Sequence, residues 1–285
     1  MTDQDLPIIY TLQKKLATLS SEFDAFRLYA WLQYDHTQIA YWRNQFALRF
    51  QLQDIPCYLA PPETEDFPAL LAELAAYEKS MGGKVFQCLC VEQPPKEIPT
   101  GFQCAPRREL FDYLYAAEDL ISMPGRAYAA KRNQIAQFKR KYVWRFEPLT
   151  EKNQSACHAV VEAWAAAHNS TTLAAEQTAI QRMLALREPY GQSGGVLFAD
   201  DQPVAFAIGT HPRDALLDII AEKALPGYIG AYSTIIQTYA AYAYSLAPYR
   251  FINREEDMGL ENLRSAKLQL KPVRLIEKFL LTAPL

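Results

Sequence analysis

A run of consecutive polar residues lies between an apolar stretch and a regularly patterned helix near the carboxyl end of the chain. The run consists of Asn253, Arg254, Glu255, Glu256 and Asp257. α/β proteins commonly bind ligands where strands end, and carboxylates at such a place can position a substrate or accept its proton. Alternatively, Asp257 only caps the following helix, and the acidic side chains only interact favourably with the helix dipole.

The helix that follows this run carries Arg264, Lys267 and Lys271 at three- and four-residue spacing. This spacing places their cationic groups on one helical face. The sequence contains no GxSxG, GxxxxGK[ST] or GxGxxG motif, so it offers neither a serine-hydrolase elbow nor an ordinary nucleotide-binding loop. Proton transfer therefore falls to lysine or to carboxylates. The candidate carboxylates are Glu222, Glu255, Glu256 and Asp257.

A basic segment without acidic residues extends over residues 125–145. Its cations are Arg126, Lys131, Arg132, Lys139, Arg140, Lys141 and Arg145. On the predicted helix, Lys131 and Arg132 lie one or two turns from Lys139, and such a dense positive surface suits a phosphate-bearing ligand. The alternative is an amphipathic helix with a solvated face, although solvation does not explain Asn133 among the cations.

A strand, a glycine-containing loop and a helix follow one another over residues 221–232. Glu222 and Lys223 are on the predicted strand, whereas Gly227 and Gly230 are in the loop. Backbone N–H groups at a helix start favour anions, and glycines let a ligand approach the backbone closely. The pattern is a degenerate match to the loop that holds the CoA pyrophosphate in acyltransferases. The alternative is a pair of plain turn glycines.

The composition limits the class of protein. The 285 residues carry a net charge of -3, and 50% of them are hydrophobic and 21% charged, as in an ordinary globular enzyme. Because no long apolar run or signal sequence is present, we expect a soluble, cytoplasmic protein. Five cysteines without a CxxC pair and four scattered histidines predict reduced core thiols and no bound metal. The weakly negative net charge means that any site for a polyanion must be local.

The predicted elements indicate two domains that divide near residue 149. A chain of this length exceeds the size at which one core usually stops growing. Residues 3–40 are predicted to be mostly helical, and residues 273–281 are predicted to form a closing strand. The C-terminal part is predicted to contain two helices, a hairpin, a strand, a glycine-containing loop into a helix, and strand–helix–strand. This is the element order of one acyl-CoA N-acyltransferase fold.

Several motifs make the sequence similar to a known family. They are KRNxIxxFK from Lys131, FxxGT from Phe206, EKAxxGxxGAY from Glu222 and INREEDMGxExLRxAKxxxxP from Ile252. These motifs resemble the C-terminal catalytic domain family of lysylphosphatidylglycerol synthases, in particular its soluble branch, which lacks the membrane-spanning flippase half. The likeness extends over nearly the whole chain, and NREEDMG is its most specific string.

The resemblance implies an α+β fold of two tandem GNAT-like acyl-CoA N-acyltransferase domains, residues 1–149 and 150–285. Each domain is expected to have a mixed, mostly antiparallel sheet flanked by helices. The resemblance puts the reaction centre in the C-terminal domain. The membrane relatives transfer an aminoacyl group from tRNA to a lipid hydroxyl, which implies an acyl- or aminoacyltransferase.

The resemblance also implies roles for the candidate residues. The catalytic group comprises Glu222, Asn253, Glu255, Glu256, Asp257 and Lys267. The group that binds the donor or its phosphates comprises Lys131, Arg132, Asn133, Lys139, Lys223, Gly227, Gly230, Arg254 and Arg264. In this interpretation the residues from Asn253 to Asp257 position or deprotonate the acceptor, and Lys267 or Arg264 stabilises the tetrahedral oxyanion of the transferred ester.

Three functions remain open at this point. The first is acyl or aminoacyl transfer from aminoacyl-tRNA or another phosphate-rich donor to a small-molecule or lipid acceptor. The second is CoA-dependent N-acetyl transfer from an acyl-CoA donor, which the glycine loop favours. The third is a non-catalytic module that binds tRNA or an anionic metabolite, against which the polar NREED string argues. No cofactor is expected other than the donor substrate itself.

Overall fold

The structure is a computed structural model that describes residues 2, 4–43, 45–61, 64–168, 173–185 and 191–285. The chain forms two compact units. The first unit comprises Met1–Asp112, Glu256–Arg264 and Leu275–Leu285, and the second comprises Tyr113–Glu255 and Ser265–Arg274. Each unit is therefore assembled from segments that are distant in the sequence.

The secondary structure of the described residues alternates between short helices and strands. The helices are α1 (Leu6–Gln13), α2 (Ala25–Trp31), α3 (Phe67–Ser80), α4 (Ala117–Ser122), α5 (Ala129–Lys141), α6 (Gln154–His168), α7 (Leu173–Ala185), α8 (Ala231–Leu246) and α9 (Glu261–Leu268). The strands are β1 (Gln38–Trp42), β2 (Gln45–Leu52), β3 (Ile55–Leu59), β4 (Val85–Val91), β5 (Gln103–Pro106), β6 (Asp112–Ala116), β7 (Trp144–Pro148), β8 (Gln192–Ala199), β9 (Gln202–Arg213), β10 (Leu216–Ala224), β11 (Phe251–Asn253), β12 (Arg274–Ile276) and β13 (Lys278–Pro284).

The first unit is built on a six-stranded sheet with the order β1-β2-β3-β4-β13-β5. β3 and β4 are parallel and are connected through α3, whereas β13 is antiparallel to both β4 and β5. Apolar residues at helical spacing give α3 one buried face. On this face Leu70, Leu71 and Leu74 share a core cluster with Tyr58 and Phe86 of the sheet. This burial attaches the helix to the parallel strand pair.

The second unit is built on a seven-stranded sheet with the order β12-β6-β11-β10-β9-β8-β7. β10 and β11 are parallel over Leu216–Asp218 and Phe251–Asn253, and they are connected through α8. β9 and β6 pair antiparallel with β10 and β11, respectively. The ladder between β9 and β10 has two register shifts, and such bulges bend a strand and increase its twist. β10 thus continues alongside β9 to Ala224 after its pairing with β11 has ended.

The structure confirms the predicted mixed α+β class, with two mixed sheets flanked by helices. The prediction of helix over residues 3–40 is wrong at its end, because α2 stops at Trp31 and β1 begins at Gln38. The intervening residues form a turn in which His36 has a φ of +50°, a conformation that no helix continues.

The carboxyl-terminal strand and the domain division also differ from expectation. The predicted closing strand over residues 273–281 is two strands, β12 in the second sheet and β13 in the first. The compact units divide the chain between Asp112 and Tyr113, whereas the expected domain boundary is near residue 149. Residues 113–149 lie in the second unit because they supply β7 and nearly all of β6 to its sheet.

Candidate functional site

The separation of β10 from β11 positions the two charged residues at the centre of the candidate site. Glu222 lies on β10 beyond Asp218, which is the last residue of β10 that pairs with β11. Arg254 directly follows Asn253, the last residue of β11. Ligands of sheets with parallel strands commonly bind at the carboxyl ends of those strands. The two side chains therefore meet at a place that the topology favours for a ligand.

Glu222 and Arg254 form a buried ion pair in the second unit. The Nη2 atom of Arg254 lies 3.1 and 3.2 Å from the two carboxylate oxygens of Glu222. The same nitrogen donates a hydrogen bond of 2.8 Å to the hydroxyl oxygen of Tyr232, in the first turn of α8. The side chains of Arg254 and Glu222 are only 4% and 6% exposed. The guanidinium carbon lies 5.7 Å from the ring centroids of both Tyr115 and Tyr232.

The electrostatics of this pair favour a basic carboxylate beside a permanent cation. Burial raises the pKa of Glu222, although Arg254 opposes this effect. Burial disfavours the charge of Arg254, but Glu222, Tyr232 and Tyr115 together raise its pKa, so the guanidinium stays protonated. Burial and the neighbouring Glu222 carboxylate raise the pKa of Tyr232 to about 12. A carboxylate whose pKa is raised is a stronger proton acceptor, as general base catalysis requires.

Arg254 has hydrogen-bonding capacity that its protein neighbours do not use. Its Nε and Nη1 atoms are buried, and the part of the chain that the structure describes provides no hydrogen-bond acceptor for either atom. Buried donors without acceptors are uncommon in folded proteins and destabilise them. The site therefore combines a basic carboxylate with unused donors on its cationic partner.

Asn253, Glu255 and Lys267 shape the turn that contains Arg254. The Oδ1 atom of Asn253 accepts a hydrogen bond of 2.7 Å from the main-chain nitrogen of Glu255, which has a φ of +53°. Nζ of Lys267 donates to the main-chain carbonyl oxygen of Arg254 and, at 3.1 Å, to that of Glu255. The ring centroid of Tyr113 lies 5.6 Å from the same Nζ atom. Asn253 and Lys267 thus hold the main chain on which Arg254 is mounted.

Asp257 and Glu256 belong to the first unit, unlike the three residues before them in the polar run. The carboxylate of Asp257 accepts hydrogen bonds from Arg108 at 3.1 Å and from Arg264 at 2.9 and 3.0 Å. It also accepts one of 2.9 Å from the main-chain nitrogen of Gly259. Glu256 lies 3.9 Å from Arg27. Asp257 is thus a buried residue that two guanidinium groups hold in place.

The basic helix α5 places its predicted phosphate ligands in different surroundings. Nη1 of Arg132 donates to the main-chain carbonyl oxygens of Met123 and Gly125, at 2.5 and 2.7 Å. Lys131 is half-buried and donates a hydrogen bond of 3.2 Å to Gln269. Burial and then Arg254 lower the pKa of Lys131, so this lysine lies within electrostatic range of the ion pair. Only Lys131 of these two residues is brought toward the candidate site.

The remaining predicted ligands of α5 are on its exposed surface. Asn133 and Lys139 are exposed, and Nζ of Lys139 lies 4.6 Å from the ring of Trp144. Arg140 and Lys141 also lie here. Together with Gln137 and Ile229 they line an open groove of about 340 Å³. This exposed basic surface is separate from the Glu222–Arg254 pair in its contacts.

Lys223 does not join Glu222 at the candidate site. Successive side chains of a strand point to opposite faces, and the two residues are adjacent on β10. Nζ of Lys223 lies 2.8 Å from a carboxylate oxygen of Glu176 and 3.6 Å from the ring centroid of Trp164. Lys223 therefore pairs with the helices α6 and α7 instead.

The two loop glycines before α8 serve different purposes. Gly230 has a φ of +88°, and a Cβ atom placed there would come within 2.2 Å of the main-chain oxygen of Gln134. Gly230 thus allows the start of α8 to pack on α5. A Cβ atom on Gly227 would meet no atom within 4 Å, so packing does not require glycine at this position. Of the two, Gly227 keeps the open space that a ligand needs.

Sequence reasoning missed three residues that contact the predicted ones. Tyr232 is the last letter of the EKAxxGxxGAY motif, but an aromatic residue in a helix usually packs in the core. Tyr115, on β6, and Arg108, which pairs with Asp257, lie far from their partners in the sequence. Only the motif containing Tyr232 carried a signal that could have identified one of them.

The first unit contains a second buried ion cluster and a cleft. Nζ of the fully buried Lys278 lies 2.6 Å from Glu22 and 2.7 Å from Asp112. Asp112 also accepts hydrogen bonds from Ser20 and Ser21. A cleft of about 440 Å³ lies beyond the carboxyl ends of β3 and β4. It is lined by Ala60, Pro61, Thr64, Phe67, Pro68, Cys90, Val91, Gln93, Pro94, Pro95, Lys96 and Glu97.

Metal ligands and membrane spans are not evident in the described parts of the chain. Within them, no three His, Cys, Asp or Glu side chains are grouped so that they could hold a metal ion. None of the helices in those same ranges has the length and apolar character needed to cross a membrane. All five cysteines are free thiols, of which Cys104 is partly exposed and the others are buried.

Comparisons of the structure define the class of fold. A conserved protein of unknown function from Bacteroides thetaiotaomicron is 27% identical, with a TM-score of 0.87 over 99% of this chain and 98% of that chain. L-PGS from Bacillus licheniformis is 14% identical, with a TM-score of 0.65 over 98% and 91% of the two chains. A tandem GNAT protein from the clavulanic acid biosynthesis pathway is 9% identical, with a TM-score of 0.56 over 99% and 96%. The chain therefore has the tandem GNAT-like fold that the sequence predicted.

The sequence comparison identifies the family within that fold. The chain belongs to the family described as phosphatidylglycerol lysyltransferase, C-terminal, whose sequence profile matches residues 16–282. A search among curated proteins found no match. Family and fold together point to a catalytic domain of the lysylphosphatidylglycerol synthase type or to another GNAT-like acyltransferase.

Proposed function

We propose that this protein is an aminoacyltransferase in which Glu222 is the general base. The observation that carries the proposal is the buried Glu222–Arg254 pair at the separation of β10 and β11. Burial raises the pKa of Glu222, and a protonated guanidinium 3.1 Å away fixes the orientation of the carboxylate. A base must lie within hydrogen-bonding reach of the proton that it abstracts, so the acceptor would bind against Glu222.

The proposed reaction transfers an aminoacyl group from an ester donor. A hydroxyl or amine of the acceptor attacks the carbonyl carbon of the ester, and its proton passes to the Glu222 carboxylate. The tetrahedral oxyanion collapses, the bond to the ribose oxygen of the donor breaks, and that oxygen takes up a proton. Positioning the two reactants together contributes a large part of the acceleration in such transfers.

The donor that we propose is aminoacyl-tRNA. Two observations support it, namely the membership of the family and the exposed basic surface of α5. On that surface Lys139, Arg140 and Lys141 are exposed and have no acidic residue next to them in the sequence. Phosphates of a nucleic acid donor are bound by such local clusters even when the net charge of the protein is weakly negative.

The remaining predicted catalytic residues take positioning roles in this proposal. Asp257 is surrounded by donors from Arg108, Arg264 and Gly259, which leaves it poorly suited to accept a proton from the acceptor. Lys267 binds the main chain around Arg254. We therefore assign proton transfer to Glu222, and we assign Asp257, Arg264 and Lys267 to fixing the polar run.

The test is a transfer assay with radiolabelled aminoacyl-tRNA and a cell extract as the source of acceptors. Glu222→Gln keeps the shape of the side chain but removes the base, so we expect transfer to fall by about 10²- to 10⁴-fold. Glu162→Gln is the matched control, because Glu162 is exposed on α6. Transfer that is unchanged in Glu222→Gln, or absent from the intact protein with every charged tRNA, contradicts the proposal.

A CoA-dependent N-acyltransferase is the second candidate. The specific observation in its favour is the strand–loop–helix passage from β10 to α8, where Gly227 has open space around its Cα atom. The N–H groups at the start of α8 favour an anion such as a pyrophosphate. A titration with acetyl-CoA would separate the candidates, because saturable thermal stabilisation supports this function and no stabilisation at high ligand concentration excludes it.

A further inference from the structure

The donors of Arg254 that lack acceptors indicate what kind of molecule binds beside Glu222. We infer that the Arg254 guanidinium binds an oxyanion of the acceptor, a carboxylate or a phosphate, so that the acceptor is a small acidic molecule. This inference rests on the proposed function, because it names the chemical class of the molecule that Glu222 deprotonates.

The first argument is the incomplete hydrogen bonding of Arg254. Its Nη2 atom is occupied by Glu222 and Tyr232, whereas Nε and Nη1 are buried without an acceptor in the described chain. Nε and Nη1 carry most of the N–H donors of the group. A buried guanidinium that uses one nitrogen loses much of its solvation without compensation. A bound oxyanion would supply the missing acceptors through charge-assisted hydrogen bonds.

The second argument is the charge around the site. Glu222 is the carboxylate that pairs with Arg254, and Arg254 and Lys267 both oppose the burial that raises its pKa. Burial and then Arg254 lower the pKa of Lys131. Arg254, Lys131 and Lys267 therefore act on the same small region as Glu222. An oxyanion placed among these cations is stabilised by each of them.

The third argument is the shape of the recognition surface. The planar guanidinium is preorganised for carboxylate and phosphate oxygens, and the rings of Tyr115 and Tyr232 lie 5.7 Å from its carbon. Because one guanidinium group separates Glu222 from the free donors, the nucleophile and the oxyanion of the acceptor are only a few bonds apart. Hydroxy acids, amino acids and phosphate esters of small polyols have this arrangement.

The experiment observes Arg254 in the intact protein. The side-chain Nε resonance of Arg254 is followed in arginine-labelled protein while acetate or inorganic phosphate is added at constant ionic strength with chloride. We expect a saturable shift with at least one anion. Acetate as the tighter probe identifies a carboxylate acceptor, and phosphate as the tighter probe identifies a phosphate ester. A shift no larger than that of chloride for both anions overturns the inference.

Two variants check that the binding belongs to Arg254. Arg254→Lys keeps the cation beside Glu222, so the fold is preserved, but it loses the planar donors. We expect its affinity for the better anion to fall at least tenfold in thermal-shift titrations. Arg250→Lys is the matched control, because Arg250 is exposed and stacks on Phe251. Equal affinity in Arg254→Lys and the intact protein overturns the inference.

Binding is measured without turnover, so this inference and the proposed function can fail separately. Saturable anion binding in a protein that transfers no aminoacyl group contradicts the proposed function alone. Transfer to an uncharged acceptor, with no anion bound at Arg254, contradicts the inference alone. The variant Glu222→Gln extends the comparison, since it should lose transfer and still bind the anion.

Discussion

Asp257 and Arg264 form a two-pronged ion pair, in which Nε and Nη2 of the arginine lie 2.9 and 3.0 Å from the two carboxylate oxygens. The residues are seven positions apart, and the pair closes the segment that leads into α9. Asp257 is completely buried, whereas Arg264 is 28% exposed. The pair therefore fixes the end of the polar run from inside the first unit.

Asp257→Asn should destabilise the protein strongly. The substitution leaves Arg108 and Arg264 without their buried counter-charge, and loss of one partner of a buried pair costs about 3 kcal/mol in the free energy of unfolding. The measurement is urea unfolding followed by circular dichroism. Asp201→Asn is the control, because Asp201 and Arg145 form an exposed pair that contributes about 0.5 kcal/mol or less. Similar losses in both variants would contradict the structural role of Asp257.

Gly230→Ala and Gly227→Ala should have opposite consequences for stability. Gly230 combines a φ of +88° with a close approach to the Gln134 oxygen, so alanine is expected to cost at least about 2 kcal/mol. Gly227 has neither constraint, and alanine there should change the free energy of unfolding by less than about 0.5 kcal/mol. Thermal unfolding of the two variants under identical conditions checks both values. Equal stability would refute the packing of α8 on α5 through Gly230.

The stability of the protein should depend on Asp35 in a pH-dependent way. Burial raises the pKa of Asp35 from 3.8 to about 6, although Arg27 opposes this and Glu22 and Glu256 add to it. The folded state thus holds the proton more tightly than the unfolded state. The resulting stabilisation is present below pH 3.8 and is lost as the pH rises through about 6.

Asp35→Asn removes this penalty, so the variant should gain stability relative to the intact protein at pH 7.5 but not at pH 4. The shift corresponds to at most about 3 kcal/mol, and partial solvation should reduce the gain to roughly 1 kcal/mol. Unfolding curves at both pH values measure the difference. Asp54→Asn, at an exposed position, should show no such pH dependence. A constant difference between Asp35→Asn and the intact protein would reject the assignment.

The pH dependence of transfer should report Glu222. Because burial raises the pKa of this carboxylate above the ordinary value of 4.5, the acidic limb of kcat/KM should lie above pH 4.5. Activity is lost as the pH falls through that limb, because the base becomes protonated. Circular dichroism over the same range controls for unfolding. A limb at or below pH 4.5 in folded protein would argue for a different base.

Much of the candidate site was predictable because its residues fall in contiguous motifs. Glu222 and Arg254 lie in EKAxxGxxGAY and NREEDMG, and the predicted strand ends put both at the edge of one sheet. The sequence could not separate Arg254, in the second unit, from Asp257, in the first, because the division runs through the motif itself. It also could not supply Arg108, since no local pattern links this residue to Asp257.

Charge patterns predicted the basic helix but not the task of each cation. Arg132 was expected to bind phosphate, yet it donates to the carbonyl oxygens of Met123 and Gly125. Those oxygens are presented by a turn in which Met123 has a φ of +49°. Turn conformation depends on tertiary packing, so spacing alone cannot reveal it. The same limit explains why residues 273–281 were expected to form one strand instead of two.

The position of β13 has a consequence for how the protein is made. β13 lies between β4 and β5 in the first sheet, and it brings Lys278 to Glu22 and Asp112. A ribosome releases β4 and β5 long before β13, so during synthesis these strands lack their common neighbour and the two carboxylates lack their cation. Nascent chains therefore carry open strand edges until elongation reaches Lys278, which makes them natural clients for chaperones.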